Sequence, residues 1–555
     1  MKHFINDRSE VVTEAIDTLV LLGEGKLARL DGFPAIKVVV RTDWDRSKVA
    51  IVSGGGAGHE PSHVGFVGDG MLTAAVCGEI FASPSVDAVL AAILAVTGTA
   101  GCLLIVKNYT GDRLNFGLAA EKARAMGVDV EMVIVADDIA IAGAPRPRGL
   151  AGTLFVHKIA GELARSGAPL HVIKESVERV LPNLRSLGIS LSSCTIPGQP
   201  AENRIGPEEV ELGLGIHGEP GAEKIAYQPI VALCREMAKR LDESLGDDTR
   251  PLALLVNDLG GVPPIEMAVA TGALLSVMKR EVAMVLGPDR LMTSLDMKGL
   301  SVSVLPLDHA TDLALRSEVG PRAWPRPRAL SRVAPIPISE RMNKGAVAPS
   351  AHPERRRALE TLCATLIERQ AELDALDAKI GDGDTGTTFA TAARAIVADL
   401  DRLPFAEPAA LCASIAERLG SVMGGSSGIL LSIGVAAMGA SLTHVASPAL
   451  ASWTEALGKG LRRIEQYGGA REGDRTMLDA LVPALAALEA GEGLAGAAAA
   501  AKRGAENTAT MNSARAGRAS YVPESALRGV PDPGAVAMAA LFASLISASS
   551  SRPTP

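Results

Sequence analysis

The sequence is poor in aromatic residues, which make up 3% of its 555 residues. Proteins that bind single-stranded nucleic acid stack bases on such rings. Positive charge is not in excess either, because 55 Lys and Arg stand against 63 Asp and Glu, a formal net charge of −8. A general nucleic-acid binder carries a basic footprint, so we expect no nucleic-acid partner.

Cysteine is scarce, with six residues and no Cys-x-x-Cys pair. The cysteines lie in apolar runs, which predicts buried thiols in a reducing compartment rather than a disulfide or zinc framework. The first ten residues lack the apolar core of a signal peptide. The long uncharged stretches 88–106 and 419–454 are interrupted by Gly, Ser or Pro, whereas a membrane span needs about 20 continuous apolar residues. We expect a cytoplasmic protein with no membrane partner.

Hydrophobic residues are abundant at 47%, which excludes global disorder, and the length predicts about three domains. Over 1–315, short β-rich runs alternate with helical patterns, which predicts parallel-rich α/β sheets. A change of character near 180–200 predicts two α/β subdomains, 1–185 and 186–315. Residues 353–555 show helical apolar spacing almost throughout, which predicts an all-α domain.

Residues 316–352 differ from both neighbours because they are rich in arginine and proline. Such a composition predicts a stiff, extended linker. A solvated spacer is the simpler interpretation. The alternative is docking onto an acidic surface, for example one on the second half of the same chain.

Four glycines, Gly54, Gly55, Gly56 and Gly58, follow the strand VAIVSG and precede His59. Glycines after a strand let backbone approach a ligand closely. The dinucleotide fingerprint is excluded because His59 occupies its last glycine position, and no Gly-Lys-Ser/Thr of a Walker loop is present. The segment is either a ligand loop with a polar His59 or a structural turn.

Lys107 and Asp112 lie on the loop that leaves the strand CLLIV. An aspartate there can act as general base toward a hydroxyl, but it can equally cap the next helix. His217 lies between Gly215 and Gly218. It is either a sterically open base or nucleophile or an ordinary surface histidine.

Asp377, Asp382 and Asp384 lie in LDALDAKIGDGDTGTTF. Three carboxylates in one place repel one another unless a hard cation neutralises them, and Mg²⁺ binds carboxylate and phosphate oxygens. An EF-hand is excluded because its twelfth position holds Ala393. We predict a magnesium-phosphate site, with a polar interhelical loop as the alternative.

The segment MGGSSGILLS places Gly425, Ser426 and Ser427 before an apolar helix. Free N–H groups at a helix start favour an anion, although Gly and Ser also suit a tight helix crossing. Arg518 can pair with phosphates, as can many surface arginines.

Together these segments resemble the single-chain, ATP-dependent dihydroxyacetone kinases. The match covers about residues 1–315 and 353–548, with the motifs in the family's order. The segments that carry it are GGGAGHEPSHVGFVGDGMLTAAVCG, VKNYTGD, RGLAGTLFVHKIAG, GIHGEPG, MTSLDMKG, IGDGDTGTT, GGSSG, GDRTMLDAL and GRASY…DPGA. The Arg- and Pro-rich linker departs from the family pattern.

The resemblance implies a ketone-binding half of two α/β subdomains and an all-α helical barrel that binds ATP and two Mg²⁺ ions. It implies a covalent bond between His217 and the substrate carbonyl, with Asp112 and His59 serving the reacting hydroxyl. It implies substrate contacts at Gly56, Lys107, Asp112 and His217, and metal ligation by Asp377, Asp382 and Asp384. The implied nucleotide contacts are Thr385, Thr388, Gly425, Ser426, Ser427, Thr476, Met477, Arg518, Asp532 and Gly534.

The expected function is therefore phosphorylation of dihydroxyacetone or a similar short ketose by a homodimer. The resemblance also supplies alternatives: a kinase for a ketotetrose such as erythrulose, an FAD-AMP lyase that forms cyclic FMN, and a non-catalytic ketone-binding regulator. A regulator has no need of the nucleotide half, and this chain retains its carboxylates and GGSSG segment.

Overall fold

The computed structural model describes residues 2–141, 143–144, 146–200, 202–339, 347–516 and 518–550, with backbone alone at 518–519 and 548–550. The chain forms two compact units, Met1–Pro335 and Ile336–Pro555. Within the described residues, no helix has the length and apolar character needed to cross a membrane.

The first unit begins with a six-stranded sheet in the order β1-β2-β4-β3-β5-β6. Its strands are β1 (Leu27–Arg29), β2 (Val38–Arg41), β3 (Ala50–Ala57), β4 (Ala74–Ile80), β5 (Cys102–Lys107) and β6 (Val130–Val135). Within this sheet, β3 pairs in parallel with β4 and with β5, and β5 pairs in parallel with β6. β3 and β5 are buried along their whole length, as strands covered on both faces must be. The associated helices are α1 (Val11–Leu21), α2 (Val86–Val96), α3 (Thr110–Ala125), α4 (Thr153–Arg165) and α5 (Leu170–Val180).

The second sheet of this unit has the order β11-β10-β12-β7-β8-β9. Its strands are β7 (Arg185–Ser190), β8 (Glu209–Leu212), β9 (Glu223–Ala226), β10 (Leu252–Asp258), β11 (Val282–Asp289) and β12 (Gly299–Pro306), with helices α6 (Ile230–Leu245), α7 (Pro264–Val277) and α8 (His309–Arg316). Only the β10–β11 pair is parallel, and the other four pairs are antiparallel. Two α/β sheets are therefore confirmed, but the expectation of parallel-rich sheets is wrong for the second.

The second unit is helical, as the apolar spacing predicts. Its helices are α9 (Pro353–Glu368), α10 (Gln370–Asp377), α11 (Thr385–Ala398), α12 (Pro408–Val422), α13 (Gly425–Ser441), α14 (Leu450–Gly468), α15 (Leu478–Glu489), α16 (Gly493–Thr508), α17 (Glu524–Leu527) and α18 (Pro533–Ser550). α9, α11, α12, α13, α14, α15, α16 and α18 each pack against the next in this order. α18 also packs against α9, which closes a ring of eight helices and confirms the helical barrel.

The arginine- and proline-rich segment begins on the surface of the first unit. Trp324 is only 6% exposed, the N–H of Gly320 donates to the carbonyl of Asp69 (2.9 Å), and Arg328 pairs with Val285 in an antiparallel bridge. Residues 329–339 are exposed. Up to residue 328, the segment therefore packs against the first unit and is not a uniformly solvated spacer. The four domain boundaries stay a prediction.

Candidate active site

The carboxyl ends of three neighbouring parallel strands meet at one edge of the first sheet. β3 pairs with β4 on one side and with β5 on the other. His59 follows β3, Phe81 follows β4, and Asp112 lies in the first turn of α3, just after β5. Open α/β sheets bind their ligands at this edge, so the topology gathers these loops where a substrate site is expected.

His59 is completely buried and held in one tautomer. Its ring Nδ1 lies 2.7 Å from the carbonyl oxygen of Thr293, and a carbonyl only accepts, so Nδ1 carries the proton. Burial lowers the pKa of His59 well below its usual value, and the charges of His217 and Lys107 lower it further. Nε2 is then a neutral acceptor, and it has no hydrogen-bond partner in the described structure.

His217 lies on the loop between β8 and β9 of the second sheet. Its imidazole contacts three ring side chains from the first sheet's loops. The ring centroids of Tyr109, His59 and Phe81 lie 4.3, 4.9 and 5.4 Å from that of His217, with interplanar angles of 74°, 61° and 70°. His217 is therefore half-buried within an aromatic cluster. The expected sterically open position is wrong, and so is the alternative of an ordinary surface histidine.

Close packing also explains the glycines beside His217. The backbone N–H of His217 donates to Glu219 Oε2 (2.8 Å). A Cβ on Gly215 would lie 1.8 Å from Glu219 Oε1, and one on Gly218, whose φ is +77°, would lie 2.7 Å from Cys194 Sγ. These glycines make room for the side chains of Glu219 and Cys194, and Glu219 holds the backbone of the loop. Burial lowers the pKa of His217, while the charge of Glu219 opposes this effect.

Lys107 and Asp112 are both buried beside the glycine loop. Lys107 Nζ donates to the carbonyl of Gly54 (3.1 Å) and lies 2.6 Å from His63 Nε2. Burial lowers the pKa of Lys107, and the charge of Asp112 raises it. The two groups converge on Gly55, because a Cβ there would lie 2.6 Å from Lys107 Nζ and 3.7 Å from Asp112 Oδ2.

The structure separates the two interpretations of Asp112. Helix α3 begins at Thr110, and its N-cap residue is Tyr109, so the helix-cap interpretation of Asp112 is wrong. Asp112 is 2% exposed, and its Oδ1 has no hydrogen-bond partner in the described structure. A buried carboxylate oxygen without a partner is costly, which is typical of a group that meets a ligand.

The helical unit contains a cavity of about 910 Å³. Of the ten residues expected to contact nucleotide, nine line it: Thr385, Thr388, Gly425, Ser426, Ser427, Thr476, Met477, Asp532 and Gly534. The tenth, Arg518, begins a 3-10 turn, Arg518–Tyr521, but its side chain lies outside the described part of the chain. Segments more than 100 residues apart therefore converge on one opening.

Three carboxylates lie on the wall of the same cavity. Ligand atoms of Asp377, Asp382 and Asp384 all fall within 4.8 Å of one another. Asp377 is buried, and its Oδ2 accepts hydrogen bonds from the backbone N–H groups of Gly383 (3.0 Å), Asp384 (3.0 Å) and Thr385 (3.3 Å). This shapes the loop so that the other two carboxylates face solvent, and the donor set fits a hard cation such as Mg²⁺.

The starts of two helices line the same cavity. α13 begins at Gly425, and Gly425, Ser426 and Ser427 are exposed, so its free N–H groups favour an anion. In the first turn of α15, the carboxylate of Asp479 accepts hydrogen bonds from the N–H groups of Gly473 (2.7 Å) and Thr476 (2.7 Å), which precede the helix. These bonds hold the loop that carries Thr476 against the cavity.

Comparison with known proteins agrees with this geometry. The Dak1 domain family matches residues 26–321, and the DAK2 domain family matches residues 379–547. The chain belongs to the dihydroxyacetone kinase family. It is 48% identical to the dihydroxyacetone kinase of Citrobacter freundii over 98% of both chains. It is 40% identical to the triokinase/FMN cyclase of Homo sapiens over 92% of this chain and 93% of that protein.

A solved structure of the Citrobacter freundii kinase holds AMP-PNP and Mg²⁺. It matches this member of the dihydroxyacetone kinase family with a TM-score of 0.82 and 46% identity, over 98% of this chain and 99% of that one. The fused arrangement of two sheets and a helical barrel is thus shared along the whole length.

Sequence reasoning missed several residues that this dihydroxyacetone kinase family member places in the two sites. In the sheet unit these are His63, Phe81, Tyr109 and Thr293. In the helical unit, Arg475 is 1% exposed, lines the cavity and donates to the carbonyls of Thr508 and Val530. Two features of the sequence could have indicated them. Aromatic residues are rare in the chain, so Phe81 and Tyr109 beside motif residues stand out, and Arg475 lies inside the segment GDRTMLDAL.

Proposed function

We propose that the protein is an ATP-dependent kinase that phosphorylates a terminal hydroxyl of dihydroxyacetone. One observation carries this function: both domains of the family are present in one chain, and each contains a site built from the family's motif residues. A ketone-binding regulator would not need the cavity of the helical unit or its acidic wall.

We propose that His217 captures the ketone covalently. The lone pair of a neutral ring nitrogen adds to C2, the carbonyl oxygen gains a proton, and the other ring nitrogen loses one, which gives a hemiaminal. The lowered pKa of His217 keeps the imidazole neutral at physiological pH, as this addition requires. Glycerol has no carbonyl and cannot form the adduct, so a ketose is selected over a polyol of the same size.

Asp112 then acts as the general base for the terminal hydroxyl, and His59 Nε2 accepts a hydrogen bond from the substrate. Support comes from their buried atoms without partners and from the charges of Asp112 and Lys107, which act on His217. Lys107 and the backbone at Gly56 complete the substrate contacts. A base within hydrogen-bonding distance of the hydroxyl takes its proton as the γ-phosphoryl group transfers.

In the helical unit, Asp377, Asp382 and Asp384 would hold two Mg²⁺ ions, which neutralise phosphate charge during transfer. The N–H groups at the start of α13 bind the phosphates. Apolar residues on the cavity wall, including Ile429, Ile433 and Tyr467, suit an adenine ring. Asp532 also lines this cavity. Its carboxylate caps the start of α18 by accepting a hydrogen bond from the N–H of Ala535 (2.8 Å), and burial raises its pKa to about 6.

An ATP-consumption screen of the purified full-length protein tests the function. The substrates are dihydroxyacetone, both erythruloses, glyceraldehyde and glycerol. We expect turnover with dihydroxyacetone and none with glycerol. Efficient glycerol phosphorylation would contradict ketone capture, and erythrulose as the best substrate would favour the ketotetrose kinase. A crystal soaked with dihydroxyacetone should show continuous density from the His217 ring to C2.

FAD-AMP lyase activity is a second candidate, because one relative of 40% identity is named as both triokinase and FMN cyclase. The screen therefore includes FAD, with cyclic FMN as the product measured. We further propose a cytoplasmic homodimer with domains at 1–185, 186–315 and 353–555 joined by 316–352. Light scattering on the eluted protein tests the dimer, and limited proteolysis tests the linker.

A further inference from the structure

Phe81 has a backbone conformation that phenylalanine rarely adopts. Its φ is +57°, in the left-handed region where a bulky side chain is a genuine outlier. Among the described residues, five non-glycine residues have a positive φ: Glu24, Arg46, Phe81, Leu295 and Arg475. Residues held in such conformations cluster at functional sites, and Phe81 lies at the ketone site.

The surroundings of Phe81 are built to accept this conformation. Its N–H donates to the carbonyl of Ala57 (2.9 Å). A Cβ on Gly56 would lie 2.9 Å from Phe81 Cα, and one on Gly58 would lie 2.9 Å from Phe81 Cε1. Two glycines of the loop that precedes His59 thus make room for the backbone and the ring of Phe81.

The ring of Phe81 contacts both histidines of the site. It stacks on His59 with centroids 5.2 Å apart and planes at 27°, and it meets His217 edgewise at 5.4 Å and 70°. The ring of Tyr109 also meets His217 edgewise, at 4.3 Å and 74°. His217 comes from the second sheet and His59 from the first, so Phe81 ties together two groups that must act on one substrate.

We propose that Phe81 is a positioning residue for ketone capture: its ring holds the imidazoles of His59 and His217 at the angle that addition to C2 requires. This inference rests on the proposed function. Addition needs the nitrogen lone pair aligned with the carbonyl, and a misplacement of about 1 Å can cost about 10²-fold in rate. Without the ring, His217 can rotate and water can enter beside it.

Three variants of the full-length protein distinguish the effect of the flat aromatic ring from the effect of side-chain volume. Phe81→Gly suits the backbone and removes the ring, Phe81→Leu keeps an apolar bulk without a flat ring, and Phe81→Tyr keeps the ring. We expect kcat/KM for dihydroxyacetone to fall up to about 10²-fold in the first two and to be largely retained in the third. The KM for ATP should not change. Arg46→Gly, an exposed position with φ +62°, controls for relief of backbone strain.

A pH profile supplies a readout that simple packing would not move. Water beside His217 removes part of the desolvation that lowers its pKa, so the acid limb of kcat/KM should move to higher pH in Phe81→Gly. The other charged or titratable groups that act on or contact this imidazole stay in place: Glu219, Lys107, Asp112, Arg148, His59 and Tyr109.

Calorimetric titration of dihydroxyacetone alone keeps this proposal distinct from the kinase assignment. Weakened ketone binding in Phe81→Gly and Phe81→Leu, with binding retained in Phe81→Tyr, supports the positioning role even if turnover reveals another reaction. Wild-type binding in Phe81→Leu together with an unmoved acid limb in Phe81→Gly would overturn it, because the ring would then only fill space. Equal losses for dihydroxyacetone and ATP would overturn it as well.

Discussion

The two units solve the problem of binding a polar ligand in opposite ways. At the proposed ketone site His59 is buried and His217 is half-buried, both histidines have lowered pKa values, and Phe81 and Tyr109 lie beside them in a chain with few aromatics. The nucleotide cavity is wide and rimmed by exposed carboxylates and free helix starts. A small ketone offers little binding energy, so the proposed covalent capture at His217 would supply what contacts alone do not, whereas a nucleotide offers charge that metal ions and N–H groups can bind.

Asp112→Asn should give the largest loss of turnover among these variants, and it tests the proposed ketone site. The amide keeps the shape of the side chain but removes the base, and a general base contributes about 10²–10⁴-fold. We expect kcat to fall by that factor, measured with saturating dihydroxyacetone and ATP. Asp87→Asn is the matched control, since Asp87 also lies in the first helical turn but is 78% exposed, and it should retain full turnover.

Changing Asp382 and Asp384 together to Asn should affect only the nucleotide side. Removing outer-shell partners of a metal costs about 10–100-fold, so loss of two ligands should weaken Mg²⁺-dependent ATP binding about 10²-fold or more. Titration calorimetry with and without Mg²⁺ measures this, and dihydroxyacetone binding should be retained. Asp401→Asn, at an exposed acid, is the control. ATP binding that stays Mg²⁺-dependent at wild-type affinity would rule out the carboxylate assignment.

The pH dependence of ketone capture should follow His217. Only the neutral imidazole adds to the carbonyl, and burial lowers its pKa, so kcat/KM for dihydroxyacetone should stay constant as pH falls through about 6.5, the ordinary histidine value. Below the pKa of His217 it should fall tenfold per pH unit. The charge of Glu219 raises this pKa, so Glu219→Gln should move the decline to lower pH. A shift to higher pH would contradict the assignment.

The smallest effect concerns stability alone. Gly272 is exposed within α7, and a Cβ there would meet nothing within 4 Å, so Gly272→Ala should stabilise the first unit by about 0.5–1 kcal/mol. Gly161 in α4 is the contrasting case, because its Cβ would lie 2.4 Å from Met71 Cα, and Gly161→Ala should destabilise the unit. Urea unfolding followed by circular dichroism measures both, and activity should be unchanged in Gly272→Ala.

Much of the fold was predictable because its signals are local. Apolar spacing marked the long helices of the second unit, and apolar runs marked β3, β5, β6, β10 and β12. The antiparallel pairing of the second sheet was not predictable, since β8 and β9 have four residues each and their partners are chosen by the sheet. The acidic wall was predictable for the same local reason, because Asp377, Asp382 and Asp384 lie within eight residues of one another.

The sequence by itself determined the chemistry that is available: a histidine among glycines, an aspartate after a strand, three carboxylates on one loop. Only the tertiary structure decided how those groups behave. It placed Thr293 against His59 and Phe81 against both histidines, through loops that follow different strands. Tautomer, burial and ring orientation depend on neighbours that are distant along the chain, and no local pattern encodes a contact across 200 residues.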